Sequence, residues 1–236
     1  KEHHIIICSK GIEIISSKYL TEVFNEIMPF KSISILSGPS FSNEVSQGLP
    51  TAVTLATKDK KDFNNISKLI PNKEFRIYYS NDLIGTQIGG SLKNIYAIAA
   101  GIAEGLNLGE NAKSALISRS FAEMTRYAKK FKADKNTLFG LSGLGDLILT
   151  CSSTNSRNTQ FGIKLASSKY DNFLDLLKSQ EVTEGYYTVK AVYNISQKKN
   201  IDMPIMESVY NILYKQHDLK EELSNLLSRP ITEEKI

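Results

Sequence analysis

The chain has 236 residues, of which 41% are hydrophobic and 23% are charged. At about 150 residues per domain this length predicts one large domain or two modest ones, and the near-average composition excludes a disordered or fibrous chain. The 29 basic and 25 acidic side chains give a net charge of +4, an excess too small to indicate a nucleic-acid-binding or membrane protein.

Residues 1–79 alternate short, β-branched apolar runs with helical patterns, which predicts strands separated by helices. The predicted strands lie at 5–8, 33–36, 52–55 and 75–78, and the predicted helices at 17–28, 41–47 and 60–70. Strands that alternate with helices are typical of an α/β layer, so we expect a mostly parallel sheet.

From about residue 81 the sequence contains only helical patterns. The predicted helices cover 82–104, 111–131, 135–141, 145–151, 156–167, 171–178, 184–198 and 204–214. The predicted fold class is therefore α/β followed by all-α, with an α/β domain over residues 1–79 and an all-helical domain over 80–236.

The segment 83–103 contains no acid and one base, and its length would suit a membrane span. The base, Lys93, lies at its centre among glycines and polar residues, and a lysine at the bilayer midplane would cost at least about 2.5 kcal/mol. We therefore expect this helix to be buried inside the protein.

Lys93 is a candidate acid–base group. Gly89 and Gly90 precede it and weaken a helix by about 1 kcal/mol each, which is tolerable where another element must approach the backbone closely. Burial disfavours the charged form of a lysine and lowers its pKa, which suits proton transfer in a carbonyl–hydroxyl interconversion. The alternative is a lysine that extends its amine to water.

Two polar motifs follow in the helical half. Asp146 ends a glycine-rich loop where a helix begins, so it is either an N-cap or a carboxylate that pairs with a lysine or accepts a substrate hydroxyl. Asn155, Ser156, Arg157 and Asn158 open the next helix, where free N–H groups and a guanidinium suit a phosphate. Ordinary helix capping is the alternative for this cluster.

Two further candidates lie where predicted strands end. Lys10 follows the first strand, and Gly38 and Ser40 follow the second. Side chains at the carboxyl ends of parallel strands face the ligand crevice, where a lysine can polarise a carbonyl or hold a phosphate. The alternatives are a solvated turn lysine and a plain strand-to-helix turn with Ser40 as the cap.

Taken in order, these motifs resemble the bacterial NAD(P)-dependent glycerol-3-phosphate dehydrogenase family, from about residue 5 to about residue 227. The matching strings are SKGIE at 9–13, SGPSF at 37–41, GLPTA at 48–52, GGSLKN at 89–94, GLGDL at 143–147, NSRN at 155–158 and EG at 184–185. Ketopantoate reductase and the hydroxyacid dehydrogenases also carry a lysine on the first long helix, but the NSRN cluster favours a phosphorylated substrate.

The resemblance implies roles for individual residues. Lys93 corresponds to the lysine that shuttles the proton at the C2 oxygen, and Asp146 to the acid beside it. The implied substrate contacts are Lys10, Gly38, Ser40, Lys93, Asn94, Asp146, Ser156, Arg157 and Asn158. The implied dinucleotide contacts are Lys10, Ser42, Arg157, Val182 and Glu184, although the family often has alanine at the position of Ser42.

The resemblance also implies the reaction: reduction of dihydroxyacetone phosphate to sn-glycerol 3-phosphate by NADH or NADPH, and its reverse, feeding glycerophospholipid synthesis. We expect NAD or NADP as cofactor, no metal, a small phosphorylated substrate, and neither nucleic acid nor membrane as partner. A homodimer is compatible with the family. Cys8 and Cys151 are far apart and have no metal-site spacing, which favours free thiols in the cytoplasm.

One departure from the family is large, because the glycine-rich dinucleotide fingerprint near the N-terminus is missing. We therefore expect the C-terminal half of a Rossmann-like domain, without an N-terminal part of about 80–100 residues at roughly 30 per βαβ unit. Two hypotheses follow. The chain is the catalytic portion of a dehydrogenase whose N-terminal segment is separate, or it is a truncated, non-catalytic remnant that binds a phosphorylated ligand or acts as a helical interaction module.

Overall fold

The structure, a computed structural model, describes residues 3–27, 32–70, 73–167, 183–230 and 233–234. A small α/β layer comes first and a group of helices follows. The α/β layer comprises β1 (His4–Ile7), α1 (Leu20–Ile27), β2 (Ser32–Ser37), α2 (Ser42–Ser46), β3 (Thr51–Thr57), α3 (Lys60–Leu69) and β4 (Phe75–Ser80). The helices are α4 (Leu83–Gly105), α5 (Glu110–Lys130), α6 (Lys135–Phe139), α7 (Asp146–Ser152), α8 (Arg157–Ser167), α9 (Glu184–Lys199), α10 (Pro204–Lys215) and α11 (Leu219–Leu227).

The four strands form one sheet in the order β1-β2-β3-β4. β1 pairs parallel with β2, and β3 pairs parallel with β4, whereas β2 and β3 are antiparallel. The mostly parallel sheet predicted from sequence is thus confirmed. Because Ile7 lies opposite Ile35, the carboxyl ends of β1 and β2 meet at one edge, and the loops that carry Lys10 and Gly38 leave the sheet side by side.

Helix α4 is the centre of the molecule, since every residue from Gly85 to Ala103 is buried. Leu92 and Ile95 have no exposed surface and belong to the main core cluster. Each such side chain stabilises the fold by about 1.5–3 kcal/mol, because its apolar surface is removed from water. The expectation that this helix is buried inside the protein is confirmed. No described helix is long and apolar enough to cross a membrane.

A buried carboxylate fixes the position of α10 against α5. The side chain of Glu123 accepts hydrogen bonds from the backbone N–H groups of Ile205 (2.6 Å) and Met206 (3.2 Å), in the first turn of α10. These N–H groups have no partner within a helix, so the carboxylate acts as a cap from outside. Burial raises the pKa of Glu123 to about 7, although both hydrogen bonds act in the opposite direction.

Within the described residues, the predicted elements agree with the structure to within a few residues at their ends, with two differences: helix α11 and the π-helical turn Leu141–Gly145 were not predicted. The pattern at 171–178 lies outside the described residues. The chain passes from sheet to helices between Ser80 and Leu83, close to the boundary drawn from sequence. The division into two domains itself stays a prediction.

Candidate active site

Two lysines share one buried carboxylate, and this triplet is the polar centre of the molecule. Asp146 Oδ1 lies 2.5 Å from Lys93 Nζ, and Asp146 Oδ2 lies 2.7 Å from Lys10 Nζ. The side chains of Asp146 and Lys93 are only 1% and 8% exposed. Two cations and one anion leave a net positive charge in a largely buried site, which favours an anionic or electron-rich ligand.

The arrangement decides three alternatives left open by the sequence. Lys10 is not a solvated turn lysine, because it reaches from the end of β1 to Asp146 and also donates to the Gly38 carbonyl at 3.3 Å. Lys93 does not extend to water. Asp146 is the first residue of α7, but its carboxylate binds the lysines rather than capping the helix.

The glycine pair before Lys93 allows other elements to approach α4 closely. A side chain at Gly89 would clash with the Ser142 carbonyl in the π-helical turn that precedes α7. A side chain at Gly90 would lie 2.8 Å from Ser37 Oγ and 3.4 Å from the stem of Lys10. The two glycines therefore let the ends of β1 and β2 and the turn before Asp146 meet beside Lys93.

Burial sets the protonation of Lys93. Loss of water around the amine lowers its pKa to about 8, because desolvation outweighs the attraction of Asp146, and the charge of Lys10 acts in the same direction as desolvation. An amine with this pKa can both give and take a proton near neutral pH. The geometry thus supports the acid–base role predicted for Lys93.

Thr150 belongs to the same cluster, and the sequence analysis missed it. Lys93 Nζ donates to Thr150 Oγ1 at 2.9 Å, and this hydroxyl donates in turn to the Asp146 carbonyl at 2.6 Å. Thr150 lies four residues after Asp146, so both side chains share one face of α7. That spacing was the signal available in the sequence.

A second, more open cluster lies around Glu184, the first residue of α9. Glu184 Oε2 accepts a hydrogen bond from Asn94 Nδ2 at 3.0 Å, and Glu184 Oε1 lies 3.8 Å from Arg157 Nη2. Asn94 is the chain neighbour of Lys93, so Glu184 connects Arg157 to the helix that carries the buried lysine. The Arg157 side chain is half exposed.

The other members of the NSRN motif have local partners. Ser156 Oγ accepts the Thr159 N–H at 3.2 Å, which is ordinary helix capping. Asn158 Oδ1 accepts the Gly185 N–H at 2.9 Å and so ties the start of α8 to the start of α9. Both side chains are buried next to the open cluster.

The second strand-end loop contributes its backbone. The Gly38 carbonyl accepts from Lys10 and, at 3.0 Å, from Ser40 Oγ. Ser40 is not a helix cap, because Phe41 precedes α2 and no side chain caps that helix. Ser42 is exposed on α2 and makes no side-chain hydrogen bond within the described residues, and Val182 lies outside them.

In the part of the chain that the structure describes, no group of three or more His, Cys, Asp or Glu residues could hold a metal.

Family models match both parts of the chain. The model of the NAD-dependent glycerol-3-phosphate dehydrogenase N-terminus matches residues 1–63, and that of the C-terminus matches residues 82–224. The expectation that the chain lacks the N-terminal part of the nucleotide-binding domain is not supported. The first three strands, though without the glycine-rich fingerprint, fall within the match to the N-terminal model.

The relatives found by sequence and by structure agree. Two are named glycerol-3-phosphate dehydrogenase [NAD(P)+]: that of Erythrobacter litoralis is 43% identical over 98% of this chain and 69% of its own length, and that of Novosphingobium aromaticivorans is 44% identical over 98% and 70%. The crystal structure of glycerol-3-phosphate dehydrogenase from Coxiella burnetii superposes with a TM-score of 0.91 at 37% identity, covering 96% of this chain and 69% of that one. The Rossmann-like sheet followed by helices is therefore the fold of these enzymes, and the chain belongs to the NAD-dependent glycerol-3-phosphate dehydrogenase family.

Proposed function

We propose that the cluster of Lys10, Asp146 and Lys93 carries the proton transfer of the reaction. The chain is an NAD(P)-dependent oxidoreductase that interconverts dihydroxyacetone phosphate and sn-glycerol 3-phosphate. The observation that carries the proposal is a single buried carboxylate bridging two lysine amines, one of which has a pKa lowered to about 8.

Each group in this cluster has a distinct task. When bound, the reduced dinucleotide supplies a hydride to C2 of the ketone. Lys93 gives its proton to the C2 oxygen during reduction and takes it back during oxidation, so the carbonyl gains a hydride and a proton. Asp146 and Thr150 hold the Lys93 amine in place, and the second cation, Lys10, stabilises negative charge that develops on the oxygen.

In this proposal the open cluster around Glu184 binds the phosphate group of the substrate. Arg157 offers a fork of donors at the start of α8, and Ser156, Asn158 and Asn94 provide polar groups around it. The remaining substrate contacts in this proposal are the loop residues Gly38 and Ser40. A charged hydrogen bond to phosphate contributes about 1.5–3 kcal/mol, so in this proposal Arg157 contributes most of the binding free energy of the phosphate group.

The residues at the ends of β1 and β2 fit the reacting end of a dinucleotide. Ser37 Oγ is buried there without a hydrogen-bond partner among the described residues, beside a small cavity that Lys10, Gly11 and Gly90 also line. A buried hydroxyl without a partner is costly, and a polar ligand group would satisfy it. In this proposal the dinucleotide contacts are Lys10, Ser42, Arg157, Val182 and Glu184.

The finer architecture is also part of the proposal. We assign residues 1–79 to a Rossmann-like domain and residues 80–236 to a helical substrate domain. The cytoplasm is the proposed compartment, since Cys8 and Cys151 are free thiols. A homodimer is the assembly that we would test first.

The alternative of a non-catalytic remnant or helical interaction module is not favoured. A chain that only bound a ligand would have no use for a lysine buried in a dry site with a lowered pKa. The relatives named as dehydrogenases also align over 98% of this chain.

Replacement of the central lysine tests the proposal. We expect Lys93→Ala to abolish oxidation of NADH or NADPH by dihydroxyacetone phosphate while calorimetry still detects glycerol 3-phosphate binding, because the proton donor is lost and the phosphate grip is not. Lys113→Ala is the control, since the Lys113 amine pairs with Glu104 and not with Asp146. A Lys93→Ala enzyme that keeps its kcat would remove the acid–base role.

A further inference from the structure

The first turn of α9 supplies two contacts of the proposed site. Glu184 accepts from Asn94 and faces Arg157, and the Gly185 N–H donates to Asn158. A small displacement of this turn would therefore change its contacts with Asn94, Arg157 and Asn158 together. Contacts on both sides of the turn hold it in place.

On the side of the site, the turn is fixed by close backbone contact. A side chain at Gly185 would lie 2.5 Å from the Asn94 carbonyl oxygen and 2.8 Å from Asn158 Oδ1. Only a residue without a side chain fits in this space, so α9 begins directly against α4. This contact limits movement toward the site but does not prevent movement away from it.

On the far side, the turn is held by Tyr214, on α10. The Tyr214 hydroxyl donates to the Tyr186 carbonyl at 2.9 Å, two residues after Glu184. The two rings are stacked, with centroids 4.9 Å apart and an angle of 17° between their planes. Burial raises the pKa of Tyr214, so the hydroxyl stays a donor throughout the neutral range.

The helix that carries Tyr214 is itself firmly placed. Glu123 caps its first turn, and further along it Tyr210 stacks on Tyr193 with centroids 3.8 Å apart. Tyr214 therefore transmits a fixed position from α10 to the first turn of α9.

We propose that Tyr214 is a positioning residue for dinucleotide binding, acting through the Tyr186 carbonyl to hold Glu184 against Asn94 and Arg157. The proposal rests on the dinucleotide contacts assigned above to Glu184 and Arg157. Tyr214 touches neither substrate nor cofactor in this scheme. Its effect should appear in the KM for the dinucleotide and should depend on the carboxylate of Glu184.

Tyr210 offers a matched control. It lies one turn before Tyr214 on the same helix, and its ring stacks on Tyr214 with centroids 5.2 Å apart. Its hydroxyl makes no hydrogen bond within the described residues. Tyr210 contacts α9 only through its ring, at Tyr193, so Tyr210→Phe removes one hydroxyl from the same aromatic stack without removing a described hydrogen bond to the first turn of α9.

We would measure kcat and KM for NADH and NADPH in Tyr214→Phe, Tyr210→Phe, Glu184→Gln and the Tyr214→Phe/Glu184→Gln double variant. One neutral hydrogen bond corresponds to about a two- to tenfold change, so we expect Tyr214→Phe to raise the dinucleotide KM by that factor with kcat within about twofold. Tyr210→Phe should match the wild type. In the Glu184→Gln background the Tyr214 substitution should have little further effect.

Each other outcome overturns the inference. Equal KM values for Tyr214→Phe and Tyr210→Phe would leave Tyr214 a purely structural residue, and so would fully additive effects in the double variant. An unchanged KM in Glu184→Gln would instead contradict the proposed dinucleotide contact, and it would do so whatever Tyr214→Phe shows. A wild-type chain without turnover would count against the proposed function itself.

Discussion

The protein has a buried cluster, formed by Lys10, Lys93, Asp146 and Thr150, and an open cluster around Glu184. The two clusters contain similar ion pairs in different surroundings. Asp146 is 1% exposed and binds two lysines, whereas Glu184 and Arg157 are 39% and 50% exposed and lie 3.8 Å apart. A charge without its partner is costly in a dry site and is screened by water at the surface. In the proposed function, acid–base chemistry therefore lies in the interior, and recognition of the substrate lies in a region that is open to solvent.

The largest expected effect is in the buried cluster. Asp146→Asn keeps the shape but leaves Lys93 and Lys10 without a counterion, and breaking a buried pair costs about 3–5 kcal/mol of unfolding free energy. We also expect kcat to fall about 100- to 1000-fold, because the oriented amine and the charge balance are both lost. Urea unfolding and steady-state kinetics would measure the two effects, and wild-type stability in this variant would contradict the comparison.

The sequence predicted both lysines and the carboxylate of the buried cluster, but neither Thr150 nor the bridge that one carboxylate makes between the two lysines. Lys93 could be singled out as the one charged residue of the apolar segment 83–103, and Asp146 by its place after a glycine-rich loop. That one carboxylate would bridge Lys93 and Lys10, which are 83 residues apart, depends on how the sheet packs on α4, and no local pattern encodes that packing. The local motifs alone therefore left a cap at Asp146 and a solvated turn at Lys10 open as alternatives.

The open cluster also depends on a contact between residues distant in sequence, which no local pattern encodes. Arg157 was found because a polar motif opens a helix, but its partner Glu184 lies 27 residues later and came only from the family resemblance. Thr150 could have been found by extending the helical spacing from Asp146 by one turn. The helix α11 was missed because its run of Leu219, Leu223 and Leu226 is short.

Phosphate binding by Arg157 should have the next largest effect. Arg157→Ala should raise the KM for dihydroxyacetone phosphate by about 10- to 150-fold, since a charged hydrogen bond contributes about 1.5–3 kcal/mol. Stability should change little, because the guanidinium is half exposed. Arg119→Ala is the control, as Arg119 makes no ion pair within the described residues. An unchanged KM would remove phosphate binding from the role of Arg157.

The pH dependence should separate the two directions of the reaction. Reduction needs the protonated form of Lys93, so its kcat should fall about tenfold per pH unit above the pKa near 8, whereas oxidation needs the neutral amine and should level off there. Lys113→Gln should leave both profiles unchanged. Profiles without an inflection between pH 7 and 9 would contradict the lowered pKa.

The same pKa has a consequence for stability, with a defined sign. Because the pKa of Lys93 is lowered from 10.5 to about 8, the unfolded chain binds more protons than the folded one between these values. The contribution of Lys93 to the free energy of unfolding should therefore become less unfavourable as the pH rises through that window. Comparison with Lys93→Met, which cannot titrate, isolates this contribution in denaturant unfolding at several pH values.

The smallest expected effect on stability is at Glu184, and it completes the comparison. Glu184→Gln is the same acid-to-amide change as Asp146→Asn, but the side chain is 39% exposed and its amide oxygen can still accept from Asn94. We expect the free energy of unfolding to change by less than about 1 kcal/mol, as for other solvent-exposed ion pairs. Urea unfolding of the two variants side by side measures the difference directly. A loss at Glu184 as large as that at Asp146 would mean that the open cluster is as dry as the buried one, and the division of chemistry and recognition between them would not hold.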